Sequence, residues 1–536
     1  MVSPLCLRAR TGVEGPWLQD VQGNRASLLW AGGKDDGILI WESAGRGRIE
    51  VVAQPSLLPD GRTLWKARLE GLGADAEVRF SVGTASGSTA TGGAATGGTV
   101  TGKFTTPSGQ TGRLRFLAFG DSGTGSEAQL QLADRMAQET ADLMLHTGDI
   151  AYPLSTDDAL EELYFRTYRG LMSRMPFYPC PGNHDYVDDL IPYRRWHSLP
   201  ASPGVVAKDQ GRYYGFEAQG VEFLSLDSND PLWEGRNLLP WLDGRLADSR
   251  AFWRIVFFHH PPYTSGNHAK DETCRLAREH LAPRLEAARI PLVLNGHEHS
   301  YQRMLSGATN YVISGGGGGG LYESGPHEKL VRGGTWHHYL RAAIDGWRMQ
   351  LEAVGLEGEV LDRLEIAPEP TLRSVVNAAS FQPKVATGSL VSVFGYHLSA
   401  GQPGLKLSLD GQQVNVIGAS GGQLNLLLPQ RAPGRASLRV ETPNGAASIE
   451  FEIVPAAPAL FRDAEGRPVL SRAGLKAGDG ARVYLTGSGG RRVRLRAGRN
   501  DLGLFAAQPV LTLAGVEEVE LVLPVGWEEL QVEAGA

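Results

Sequence analysis

Five short segments place aspartate, asparagine, tyrosine and histidine at intervals along one stretch of the chain. They are Gly120-Asp121-Ser122-Gly123, Gly148-Asp149-Ile150-Ala151-Tyr152, Gly182-Asn183-His184-Asp185, Val256-Phe257-Phe258-His259 and Gly296-His297-Glu298-His299. Carboxylate, phenol and amide oxygens, together with imidazole nitrogens, are donors for hard and borderline cations. Brought to one place, they would make a metal site rather than a core. Taken singly, each segment is weak. Asp-Ser-Gly and Gly-Asp are ordinary turn sequences, Asn-His-Asp is more often a polar loop, and Tyr152 alone is more often a core or rim aromatic. The set arriving in order, within one domain, carries the reading. An extended backbone through His297-Glu298-His299 is expected to turn both imidazoles to one side.

The elements that must position these residues read as a layered α/β domain over 113–367. Leu114–Phe119 is an apolar strand, and a loop and a helix from about Ser126 to Thr140 follow it. The apolar residues Ala128, Leu132, Ala133, Met136 and Ala137 share one helical face, and Ser126 is the expected N-cap. Leu143-Met144-Leu145 begins the next strand. The alternation continues through Ile255–Phe258 and Ile290–Leu294. It closes with a hairpin, Tyr339–Ile344 and Arg348–Val354, expected to turn at Asp345-Gly346. In open α/β sheets, loops at the carboxyl ends of strands converge on one crevice, and most of the five segments directly follow an apolar strand. Gly315–Gly320 follows the strand Tyr311–Ser314 without the Lys-Ser/Thr of a nucleotide-binding loop. A tight turn where side chains would collide is the favoured reading.

At 536 residues the chain exceeds one core, and three or four domains are expected. Residues 12–107 read as a β-sandwich, with strands such as Ala26–Trp30, Gly37–Trp41 and Ala76–Val82. Ser86–Thr101, rich in Gly, Ala, Thr and Ser, is a hairpin tip or a disordered loop. Beyond a Pro368-Glu369-Pro370 linker, 372–454 reads as an Ig-like sandwich and 455–536 as a small β module. Lys and Arg total 52 against 59 Asp and Glu, a net charge of −7, which argues against nucleic acid or an anionic membrane as the main partner. No apolar run approaches the ~20 residues that span a bilayer. Cys6, Cys180 and Cys274 lack paired metal spacing and read as free thiols. Met1 to Pro16 contains no secretory apolar region.

The five segments resemble the metal-binding motifs of the calcineurin-like metallophosphoesterases, and of the purple acid phosphatases in particular. The general pattern has a histidine two residues after the first aspartate, where this chain has Gly123; the purple branch instead has a tyrosine three residues after the second aspartate, where Tyr152 stands. The stretch before Arg113 resembles the fibronectin-type sandwich that precedes the catalytic domain in plant-type members. The resemblance implies an α/β, multi-domain protein: a four-layer α/β/β/α metallophosphoesterase domain flanked by β-sandwiches. It implies that Asp121, Tyr152 and His299 hold a first metal, that Asn183, His259 and His297 hold a second, and that Asp149 bridges them. The family carries Fe(III) in the first site and Fe, Zn or Mn in the second. The activity implied is phosphate monoester hydrolysis, an acid phosphatase reaction with a metal-bound hydroxide as nucleophile. A phosphodiesterase or nucleotidase on the same metals is the alternative. His184 is implied to meet the phosphate. His268, nine residues after His259, matches a second phosphate-contacting histidine; either could protonate the leaving alkoxide. His260 is assigned no role.

Val375–Phe381 and Gly388–Gly395, with Gly421–Asn425 and Tyr484–Gly489, resemble a β-rich module appended to large secreted bacterial proteins. An extracytoplasmic or secreted protein is therefore expected, acting on a small-molecule phosphate ester, with cell-surface or glycan contact through the C-terminal domains as a further option. A reading from another class is a catalytically inactive surface-binding protein. Substrate choice is expected to lie in loops such as Trp233–Trp241 and Leu321–Trp336.

Overall fold

The computed structural model describes residues 12–83, 99–108, 111–229, 238–471, 475–489, 491–497, 500–510 and 515–535. It divides into two compact units, Met1–Asp248 with Trp253–Ile366, and Ser249–Phe252 with Ala367–Ala536.

The first unit is built on two large sheets. In the six-stranded sheet, Leu143–His146 lies parallel between Phe177–Pro179 and Arg113–Phe119. The hairpin His338–Asp345 and Arg348–Gly355 continues that sheet antiparallel. In the seven-stranded sheet, Val221–Ser225, Trp253–Phe257, Leu292–Asn295 and Thr309–Ser314 run parallel. The central strands are buried on both faces, and so they read as continuous apolar runs. Phe116 of one sheet meets Phe223 of the other edge-on at 5.7 Å. The helix Glu127–Ala137 covers the first sheet through Leu132 and Met136. Leu238–Asp248 and the helical run from Glu272 to Ala287 cover the second through Leu242, Leu281 and Leu285. The order is helix, sheet, sheet, helix.

Local details follow from the sequence with small shifts. Ser126 caps the helix, its hydroxyl accepting from Gln129 N at 3.2 Å. The helix stops at Ala137, short of Thr140, because its last turn tightens: Gln138 N donates to Arg135 O and Glu139 N to Met136 O. The closing hairpin turns at Gly346-Trp347, since Asp345 still pairs with Arg348. Gly346 takes the positive φ of 56° that a two-residue turn needs there, and Trp347 is buried.

Within the same unit, residues 14–105 form two four-stranded sheets around Leu28, Trp30, Leu39, Trp41, Val78 and Phe80. Strand Glu14–Gln22 is buried on both faces. Its second face carries Trp17 into the apolar cluster that holds Phe165 and Trp196, with ring centroids 5.0 and 5.6 Å away. The Trp17 indole N–H donates to Phe165 O at 3.1 Å. Arg62 pairs with buried Glu161 across the same contact. Of the Gly/Ala/Thr/Ser-rich stretch, 86–98 lies outside the described residues, and strand Val100–Thr105 follows it.

In the second unit, 371–454 contains two sheets around Val391, Val393, Leu424, Leu426, Leu438 and Val440. Two smaller sheets between 459 and 534 enclose Val483, Leu485, Val493, Leu495 and Val519. Among the described residues, no helix is long and apolar enough to cross a membrane.

Candidate metal centre

Each of the five segments begins at, or within a few residues of, the carboxyl end of a strand: Arg113–Phe119, Leu143–His146, Phe177–Pro179, Trp253–Phe257 and Leu292–Asn295. Asp121, Asp149 and His297 sit at φ of 56°, 54° and 72°. This left-handed region costs an L-residue energy that its surroundings must offset, and such residues gather at functional sites. The His297-Glu298-His299 segment is therefore kinked and not extended. Glu298 N donates to Gly296 O at 2.9 Å and Ser300 N to Glu298 O at 2.7 Å. Both imidazoles reach the same cluster because the chain turns between them, not because side chains alternate along a strand.

The seven side chains expected to bind metal converge. Tyr152 Oη lies 3.2 Å from Asp121 Oδ1, 2.9 Å from Asp149 Oδ2 and 2.9 Å from His299 Nε2. His259 Nε2 lies 3.1 Å from Asn183 Oδ1, 3.4 Å from Asp149 Oδ2 and 3.2 Å from His297 Nδ1. Asp149 stands between the two groups. Asp121 accepts the His297 backbone N–H at 3.0 Å on both oxygens.

The outer partners decide how the imidazoles present themselves. His259 Nδ1 faces Thr147 O at 2.8 Å, and His299 Nδ1 faces Gly320 O at 2.8 Å. A carbonyl only accepts, so each Nδ1 carries a proton and, in the neutral ring, each Nε2 presents a lone pair. His297 is reversed. Its Nε2 donates to Asp271 Oδ2 at 3.1 Å, which leaves the Nδ1 lone pair facing inward. Three imidazole lone pairs, two carboxylates, an amide oxygen and a phenol oxygen thus meet with one hydroxyl proton among them. Hydrogen bonds cannot satisfy that set, whereas cations can. The donors fit two metal ions, a fit also seen in the close grouping of Asp121, Asp149 and His259.

Ionisation without a cation points the same way. Burial opposes charge on His259, yet the Asp149 carboxylate holds it up at about 9, so the protein alone draws a proton into the cluster. Burial, with Asp121 and Asp149 beside it, pushes the Tyr152 phenol far up. Burial and the neighbouring His259 and His268 push His297 down to about 3.

Close backbone approach explains the glycines. A Cβ on Gly182 would lie 2.2 Å from Asp149 Oδ1, and one on Gly315 would lie 2.1 Å from Glu298 O. The run Gly315–Gly320 is the tight turn expected from sequence. Gly317 N donates to Gly120 O at 3.0 Å and Gly319 N to Asp121 O at 2.9 Å, which pins the Asp121 loop.

His184 N donates to Asp149 Oδ1 at 2.9 Å, its Nδ1 meets Pro153 O at 2.6 Å, and its ring lies 4.6 Å from that of Tyr152. The His268 ring is 4.2 Å from that of His297, so the structure brings both candidate phosphate-contacting histidines to the cluster. His260 is buried, its Nδ1 2.8 Å from Ser228 Oγ, and burial pushes it well below its ordinary value. Three acids were missed by the sequence reading. Asp185 accepts from Asp149 N at 2.9 Å, Gly182 N at 2.7 Å and Ile150 N at 3.0 Å, which ties two of the loops together. Burial, then Asp149, raises it to about 6. Buried Glu298 accepts from His268 N at 2.7 Å and Thr264 Oγ1 at 3.0 Å. Asp271 accepts from His268 and His297. Asp185 and Glu298 were legible only as neighbours of motif residues, and Asp271 gave no local signal.

With this geometry established, residues 114–301 match the model of the calcineurin-like phosphoesterases. The chain contains a calcineurin-like metallophosphoesterase domain. Its relatives include purple acid phosphatase 3 of Arabidopsis thaliana, 29% identical over 39% of this chain and 65% of that protein. Acid phosphatase type 7 of Homo sapiens is 27% identical over 35% of this chain and 47% of that protein. The chain thus spans about half to two thirds of the length of these two curated relatives. In fold, it resembles a purple acid phosphatase from yellow lupin seeds, with a TM-score of 0.58 at 16% identity, covering 67% of this chain and 74% of that one. The metallophosphoesterase domain so identified contains all five segments.

Proposed function

We propose that this protein hydrolyses phosphate monoesters at a dinuclear metal centre. Asp121, Tyr152 and His299 would hold one ion, Asn183, His259 and His297 the other, and Asp149 both. The observation that carries the reading is the convergence of these seven side chains with their imidazole lone pairs turned inward by Thr147 O, Gly320 O and Asp271. A phenolate and two carboxylates suit Fe(III); the Asn/His/His set, being milder, suits Fe, Zn or Mn in the divalent state. Two ions held there supply Lewis acidity to the ester and lower the pKa of the attacking water.

The chain's own groups do the rest. Oxygen and nitrogen donors fixed on five strand ends orient the ester without reorganisation during reaction. His184 and His268 flank the cluster, 35% and 30% exposed, in position to meet the phosphate and to pass a proton to the departing oxygen. The division at 12–107, 113–367, 372–454 and 455–536, a fibronectin-type first domain and an extracytoplasmic location belong to the same reading. It is supported by the β-sheets that precede and follow the α/β domain along the chain. The reading extends to contact of 372–536 with a cell surface or glycan.

Metal analysis and a substrate panel test the proposal. About two metal ions per chain, with turnover of monoesters well above that of diesters and pyrophosphates, are expected. Preference for diesters would move the protein to the phosphodiesterase alternative, and a metal-free, inactive protein after reconstitution would overturn the proposal.

A further inference from the structure

We propose that Asp271 is a positioning residue that ties the proton donor His268 to His297. This rests on the dinuclear reading above. One oxygen, Asp271 Oδ2, accepts from His268 Nδ1 at 2.8 Å and from His297 Nε2 at 3.1 Å. The two rings lie 4.2 Å apart. Asp271 also stands at the N-cap of the helical run that begins at Glu272, with the extended φ/ψ of −62° and 139° usual for that position. An aspartate there ordinarily bonds a backbone N–H of the first turn. This one makes no such bond, and its carboxylate serves the two imidazoles instead.

The consequence is geometric. Imidazole nitrogens point to opposite sides of the ring. With His268 Nδ1 tied to Asp271 and His268 N held by Glu298 Oε1 at 2.7 Å, the ring is fixed at backbone and tip. Nε2 is then left for substrate; among the described residues it has no protein partner. The donor is the imidazolium, with Nδ1–H on the Asp271 carboxylate and a second proton on Nε2. As the oxygen of the attacking water bonds to phosphorus and the ester P–O bond breaks, the Nε2 proton passes to the departing oxygen and the alcohol leaves neutral; the ring is left neutral with Nδ1–H still on Asp271, and Nε2 is reprotonated from water. The same carboxylate keeps the His297 proton on Nε2, so that Nδ1 turns toward the metal position. One side chain therefore sets both the proton donor and a metal-facing imidazole.

The test uses the full chain loaded with metal, as Asp271→Asn, Asp271→Ala and His268→Ala. Asparagine caps helices as well as aspartate does, so a purely structural cap survives Asp271→Asn. Two readouts are taken. The first is kcat on p-nitrophenyl phosphate, whose leaving group needs no proton, against kcat on an alkyl phosphate, whose leaving group does. Both Asp271 variants are expected to lose roughly 100-fold on the alkyl ester and less than about 10-fold on the nitrophenyl ester, the pattern of His268→Ala. The second is metal retention against a chelator, expected to weaken roughly 10-fold in both Asp271 variants and to hold in His268→Ala. Equal losses on the two esters, or metal retention as in the wild type, would overturn the inference. A wild-type chain that binds no metal and cleaves neither ester would instead sink the dinuclear reading itself.

Discussion

The phenolic oxygen of Tyr152 lies 2.9 Å from His299 Nε2, on a ring whose other nitrogen faces the Gly320 carbonyl at 2.8 Å. The single lone pair on Nε2 cannot both accept the phenol's proton and bind a metal. If a cation takes the lone pair, it also lies within reach of the phenol oxygen and competes for its proton. A visible charge-transfer band is therefore expected with Fe(III) bound, and Tyr152→Phe should abolish it with the far-ultraviolet circular dichroism unchanged. A band that persists in Tyr152→Phe would remove the tyrosine from the site.

Asp149 faces both halves of the cluster, 2.9 Å from Tyr152 Oη and 3.4 Å from His259 Nε2. Asp149→Asn keeps the shape and removes the charge. We expect kcat/KM to fall roughly 10³-fold, about 4 kcal/mol of transition-state stabilisation, with metal content dropping from two ions towards one. Retention of half the wild-type rate would exclude a bridging role.

Metal removal should destabilise the fold. Without cations the buried carboxylates and inward imidazoles have only a shared proton to offset their crowding, and ligands that bind only the folded state stabilise it by mass action, about 4 kcal/mol at a thousandfold excess over Kd. Chelated protein should melt roughly 5 °C or more below the loaded form, and metal addition should restore the midpoint. Identical melting curves would contradict a resident metal.

His197 is buried among Tyr164, Phe165 and Tyr193, and burial pushes it down to about 4. Its folded value lies below that of the unfolded chain, so its contribution is present above about pH 6.5. As pH falls towards 4, the unfolded chain binds a proton that the folded chain refuses, and stability is lost. The loss amounts to about 3 kcal/mol across that window. Denaturant titrations at pH 7, 6, 5 and 4 should show this slope, flattened in His197→Gln; an unchanged slope in the variant would assign the acid sensitivity elsewhere.

Arg62 of the N-terminal sandwich pairs with Glu161, whose side chain is 2% exposed. Arg62→Ala leaves that carboxylate buried without its cation and should cost about 3 kcal/mol in chemical denaturation. Paired with Glu161→Gln, the double variant should recover part of the loss. No loss in Arg62→Ala would mean that the ion pair adds nothing to the seating of the sandwich on the α/β domain.

The sequence by itself determined several of the strands, Arg113–Phe119, Leu143–His146 and Trp253–Phe257 among them, with the order of the motif-bearing loops and the residues they carry, but not the short strand Phe177–Pro179. Apolar runs ending in Gly-Asp, Gly-Asn or Gly-His record both the burial of a strand and the need for close backbone approach at its end. Ser126 as a cap and Gly315–Gly320 as a collision-avoiding turn were legible for the same reason: their causes are local. The structure alone decided which way the imidazoles face. His297 and His299 reach the cluster through a left-handed kink, and their proton positions are set by Asp271, 26 residues from His297, and by Gly320 O, 21 residues from His299. It also decided that Trp17 completes the core under Phe165 and Trp196, because a strand apolar on both faces names no partner for its second face. Side-chain type is written residue by residue; hydrogen-bond direction is a property of groups that only folding brings together.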